Sequence, residues 1–152
     1  MHRALEGVGV IDLSVNAPGP FASMMLGDMG AKVTSIVNPA GRPEYSGAED
    51  DPMLSARAGG ADALARGKHH VALDLKSDEG RGKLLELLID CDVVISEMRP
   101  GKLERLGLGW SVLRDVNPRL VLCQITGYGD RGPMAGAAGH DINYVSVSGA
   151  LS

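Results

Sequence analysis

A chain of 152 residues, 44% hydrophobic and 22% charged, is long enough to bury one core, so one domain is expected. Its formal net charge of -4 carries no basic excess to draw it to nucleic acid or an anionic membrane, so any anion site has to be local. No apolar run reaches the length of a membrane span, and "MHRALEGVGVIDL" enters a strand without the apolar stretch and cleavage site of a signal peptide; a cytoplasmic chain is expected.

Short apolar runs alternate with helix-like segments, which predicts an α/β fold: a Rossmann-like, mostly parallel sheet with flanking helices. The first strand is "GVGVIDLS" (7–14). After "NAPGP", Pro20 opens a helix in which Phe21, Met24, Met25 and Leu26 share a buried face, and Gly30 ends it. "KVTSIVNP" is the second strand. Residues 40–66 have no sustained period and are rich in Gly, Ala, Pro and acids, which predicts a loop or mobile insert. The third strand is "HVALDL" (70–75). A helix follows with Ser77 as N-cap, Asp78 and Glu79 in its first turn, and Leu84, Leu87 and Leu88 inward. "DVVISE" is the fourth strand, and "RPGKLERLGLG" and "WSVLRDVNP" are short helices. "RLVLCQIT" (119–126) is a fifth strand whose nearly continuous apolar run suits burial on both faces. A glycine-rich loop then leads to a helix starting near His140, with Val145, Val147, Ala150 and Leu151 on its apolar side. Cys91 and Cys123 lie far apart in apolar runs with no CxxC spacing, so they are expected to be reduced core thiols, with no metal site.

Three features bear on chemistry. "GYGDRG" (127–132) is a literal GxGxxG, but Pro133 and further Gly and Ala follow where a dinucleotide fingerprint needs a helix, a strand and a terminal acid; no nicotinamide or flavin site is expected. "MRPGKLERLGLG" places Arg99, Lys102 and Arg105 at a strand end, the mouth where open α/β sheets bind ligands. Guanidinium forks and a helix start suit phosphate there, and a solvated helix face is the competing reading. Lys68, His69 and Lys76 flank the third strand and can join the same anion pocket. In "AGHDINY" (138–144), His140 stands at a helix start, where backbone N–H groups suit the neutral imidazole a general base requires. Asp141 and Asn143 either orient the ring or cap the first turn.

Five blocks in order, "GVGVIDLSVNAPGPFASMMLGDMGAKV", "VALDLKSDEG", "EMRPGKLERLGLG", "NPRLVLCQITGYGDRGP" and "AGHDINYVSVSGALS", resemble the N-terminal part of the family III CoA-transferases of the CaiB/BaiF type. The resemblance runs from about residue 6 to the end, and "GHDINY" makes it similar to the α-methylacyl-CoA racemase branch. It implies an isomerase acting on an acyl-CoA thioester, with coenzyme A as part of the substrate and no prosthetic group. His140 would be one of two bases flanking the α-carbon, with Asp141 and Tyr144 as supporting neighbours. Arg99 and Arg105 would lie near the nucleotide phosphates, and Lys76 and Lys68 would complete the cations around CoA. One position departs: Asn38 stands where the racemases usually carry an arginine before proline. The resemblance also implies an interlocked homodimer for the full-length protein, and places the second base, an aspartate, and a later supporting glutamate beyond Ser152. The 152 residues alone are therefore expected to be inactive. A family III CoA-transferase that keeps His140, and a non-catalytic CoA-binding remnant, are the alternatives.

Overall fold

The computed structural model describes residues 3–40 and 63–151, so most of the expected insert at 40–66 lies outside the described residues. Five strands form one parallel sheet: β1 (Gly9–Asp12), β2 (Lys32–Val37), β3 (Lys68–Ala72), β4 (Val93–Ser96) and β5 (Val121–Gln124), in the order β3-β2-β1-β4-β5. Helices α1 (Pro18–Asp28), α2 (Asp78–Leu88), α3 (Lys102–Arg105), α4 (Trp110–Val116) and α5 (Asp141–Val147) occupy the connections and the end. The expected α/β class is the one observed.

Alternation along the strands divides the core. Ile11, Leu13 and Val94 pack with Leu84, Leu88, Leu103, Leu108 and Leu113 from α2, α3, α4 and their connections. Val10, Val33 and Ile95 face the other way, with Ala31 and the partly buried Leu26 of α1. Parallel strands need such cover on both faces, because every crossover lays a segment against the sheet.

The first helix differs from its expected form. It opens at Pro18, not Pro20, and its buried residues are Gly19, Ser23 and Met24, while Phe21 and Met25 are exposed. Gly19, Ser23 and Gly27 recur one turn apart, and small side chains let the helix backbone approach the sheet closely. A Cβ at Gly27 would touch Val33 Cγ2 at 3.4 Å, and one at Gly19 would overlap Ser14. Phe21 and Met25 are thereby turned outward, while Met24 stays buried.

In α2, Ser77 is the N-cap, accepting the Gly80 N–H at 3.0 Å. Leu84 and Leu88 are buried, but Leu87 sits at the margin of the face and is exposed. The far end of α2 is held by Asn117, which is buried after α4. Its Nδ2 donates to the carbonyls of Leu88, Ile89 and Cys91 at 3.1, 3.4 and 2.7 Å, and its Oδ1 accepts the Arg119 N–H at 3.1 Å. Asn117→Ala leaves these buried groups unsatisfied and is expected to cost about 2–3 kcal/mol, measurable by urea denaturation.

Three further expectations are corrected. β3 begins two residues earlier than "HVALDL": Lys68, His69 and His70 pair with Val33, Thr34 and Ser35 despite their polarity. A polar edge strand resists unwanted pairing, so charge here marks an edge, not a loop. β5 is not buried on both faces. It is the other edge, with Val121 58% exposed. Cys123 on this strand is exposed, whereas Cys91 is buried as expected, and desolvation pushes its thiol above the ordinary range. Before β3, the 3-10 turn Ala63–Ala65 is tied to α1 by Arg66, whose Nη2 lies 2.6 Å from Asp28 Oδ2. That hydrogen bond holds the exposed Asp28 carboxyl below its ordinary value.

Candidate active site

Strand order fixes where a ligand can lie. The chain runs outward from β1 through β2 to β3, then returns to β4 on the other side of β1. In open α/β sheets the crevice at that reversal, beyond the carboxyl ends of the strands, is the binding position. Here it is bounded by the loop after Asp12 and the loop after Ser96.

Two carboxylates organise this crevice, and neither was singled out from the sequence. Asp12 is wholly buried at the end of β1. Its Oδ1 accepts the Ser14 N–H at 2.9 Å and the Ser14 hydroxyl, and its Oδ2 accepts the Ser23 hydroxyl and the Lys68 ammonium, the last at 3.2 Å. Glu97, immediately after β4, reaches across to the β1–α1 turn. Its Oε2 accepts the N–H groups of Val15 and Asn16 at 3.1 and 2.7 Å, and its Oε1 accepts that of Gly19 at 2.7 Å. The available signal was charge in an apolar setting: Asp12 is the single charged residue of "GVGVIDLS", and Glu97 closes the apolar run "VVIS".

The expected cations divide. Arg99 and Arg105 lie past the end of β4, exposed, with Arg105 on α3; the guanidinium of Arg105 stands 3.4 Å from where a Cβ on Gly101 would be. Lys76 is exposed in the turn after β3, where its N–H bonds Asp74 Oδ1 at 2.9 Å. Lys68, expected among the cations around CoA, is internal. Its side chain is 3% exposed and its Nζ bonds Asp12 Oδ2 and the Pro20 carbonyl, the latter at 2.8 Å. The cause is register: Lys68 pairs with Val33, two residues below Ser35, the partner of Asp12, so its long stem reaches up to the buried carboxylate.

His140 is exposed immediately before α5, at the helix start expected of it, in the N-cap position. Its N–H donates to Asn143 Oδ1 at 2.8 Å, and its carbonyl accepts the Asn143 N–H at 2.9 Å. Asn143 is therefore a cap. Tyr144 anchors the segment: its hydroxyl donates to the Gly139 carbonyl at 2.7 Å, and its ring meets Tyr128 edge-on at 5.1 Å between centroids. Any side chain at Gly127 or Gly139 would collide with the Tyr144 ring. Since Gly127 lies three residues past β5, this packing fixes the segment just before His140 at the carboxyl edge of the sheet. Asp141 opens α5 and is exposed. The GxGxxG stretch is loop, and α5 begins only at Asp141, well beyond Gly132.

The chain matches the description CoA-transferase family III over residues 5–152. It is 39% identical over 149 residues to the alpha-methylacyl-CoA racemase of Homo sapiens, covering 98% of this chain and 35% of that protein. It is 36% identical over 156 residues to the succinyl-CoA:glutarate CoA-transferase of Homo sapiens, covering 98% and 34%. The crystal structure of a CAIB/BAIF family protein from Brucella suis superimposes with a TM-score of 0.84 at 29% identity, covering 98% of this chain and 40% of that one. The chain thus spans about a third to two fifths of the length of these relatives. The sheet order, the "RPG" arginine after β4 and the histidine opening α5 accompany a match over nearly every residue, and the chain belongs to CoA-transferase family III.

Proposed function

We propose that the intact protein is a 2-methylacyl-CoA racemase in which His140 is one of two bases. The observation that carries this reading is His140 itself: an exposed imidazole at a helix start, on a segment clamped by Tyr144 at the carboxyl edge of the sheet. Racemisation requires removal of the α-proton, stabilisation of enolate charge on the thioester oxygen, and return of a proton to the opposite face. A histidine is suited to both directions, because its ring takes up and releases a proton in the neutral range. Asp141 and Tyr144 shape its surroundings. Arg99, Arg105 and Lys76 hold the CoA phosphates, and Lys68 acts from inside by fixing β1 and α1. The resemblance supplies the opposite base from the remainder of the protein, in an interlocked homodimer.

The test is isotopic. Incubated in deuterated water with one epimer of a 2-methylacyl-CoA, the intact protein is expected to place deuterium at the α-carbon and to form the other epimer. A second reading is favoured by the near-equal match to a CoA-transferase, 36% against 39%. Passage of CoA from a thioester to a free carboxylic acid, without α-exchange, replaces the racemase by that transferase.

A further inference from the structure

We propose that Glu97 is a specificity-determining residue: its half-buried carboxylate occupies the β1–α1 turn, refuses phosphate there, and leaves the phosphates of a CoA ester to the cations beyond β4. The identity of the ligand rests on the CoA reading above, but the refusal of phosphate does not.

The start of a helix that follows the first strand of a parallel sheet offers a pyrophosphate site because its backbone N–H groups point outward unpaired. In this chain that offer is withdrawn residue by residue. Pro18 and Pro20, at the first and third positions of α1, have no N–H. Between them, the Gly19 N–H is taken by Glu97 Oε1 at 2.7 Å. Phe21 N–H already bonds the Ala17 carbonyl at 3.0 Å. In the turn before the helix, Val15 and Asn16 give their N–H groups to Glu97 Oε2. Thus three backbone donors converge on one carboxylate, as they would on a phosphate. Gly19 is needed for the approach, since a Cβ there would lie 3.0 Å from Glu97 Cδ besides overlapping Ser14.

An incoming phosphate meets both occupied donors and a negative charge already seated. The adjacent Lys68 does not offset this, because its ammonium faces Asp12 and the Pro20 carbonyl. The nearest positive charge in chain order is Arg99, two residues past Glu97 and exposed. One short segment therefore closes the turn to anions with Glu97 and offers them an alternative with Arg99 and Arg105.

The probe is inorganic pyrophosphate, titrated against the intact protein and its Glu97→Ala and Glu97→Gln variants. Glu97→Ala frees three donors and removes the charge, and is expected to bind pyrophosphate at least tenfold more tightly than wild type. Glu97→Gln keeps the size and one acceptor oxygen, and is expected to fall between. In wild type, the amide resonances of Val15, Asn16 and Gly19 are expected to stay in place as pyrophosphate is added. The proposal is overturned if those wild-type amides move, or if folded variants bind pyrophosphate no more tightly than wild type. Should Glu97→Ala fail to fold, Glu97→Gln and the wild-type amides decide. Failure of the CoA reading would show separately, as absence of CoA binding in wild type, whatever pyrophosphate does.

Discussion

Lys68→Met in the intact protein is expected to lower the free energy of unfolding by about 3–5 kcal/mol, the usual cost of stripping one partner from a buried ion pair. The methionine fills much of the stem's volume, so the loss reports charge, not a cavity. Left behind is a wholly buried Asp12 carboxylate with three hydrogen-bond donors from Ser14 and Ser23 and no counter-charge. Adding Asp12→Asn to Lys68→Met removes that stranded charge, and the double variant is expected to recover about 1–3 kcal/mol relative to the sum of the single losses. Urea denaturation of the four proteins measures the cycle. A single-variant loss under about 1 kcal/mol, the size of a surface pair, would show that water reaches the pair. The effect extends to the crevice because this pair joins β3, β1 and the first turn of α1.

What the sequence disclosed follows from which physical patterns are local. Ser77 before two acids and a leucine repeat marks a helix start by chemistry within four residues, and the structure places the cap there. His140 before "DINY" was legible for the same reason. Lys68 was not, because its meaning depends on a carboxylate 56 positions away, brought near by register. Glu97 was hidden likewise: its three partners come from a turn roughly eighty residues earlier. Strand order is another non-local property. The apolar run of β5 reads like a central strand, yet it lies at the sheet edge with Val121 exposed. In α1, hydrophobicity found Met24 but also pointed at Phe21 and Met25, which are exposed, whereas close packing selected the small residues Gly19 and Ser23 as well. Periodicity finds faces where burial is bought with bulk, and misses those where the backbone itself makes the contact.

His140→Ala in the intact protein is expected to slow α-proton exchange and epimerisation of a 2-methylacyl-CoA by roughly 10²–10⁴-fold, the ordinary contribution of a positioned acid–base group. Structural collapse is not the expected cause. The cap of α5 uses the backbone N–H and carbonyl of residue 140 with Asn143, and alanine keeps both. The clamp on Gly139 belongs to Tyr144, and the removed side chain is exposed. CoA affinity is therefore expected to stay within about twofold, because the cations assigned to the phosphates lie after β3 and β4, so the loss should fall on turnover. Single-turnover exchange in deuterated water, with CoA affinity measured alongside, separates the possibilities. Unchanged epimerisation would remove His140 from the chemistry, whereas exchange with retention from one epimer alone is what the opposite base can still perform. A protein that transfers CoA to a carboxylic acid at an undiminished rate after the substitution would mark His140 as a retained surface group and the protein as a transferase, since nucleophilic transfer has no use for a second proton carrier at the α-carbon.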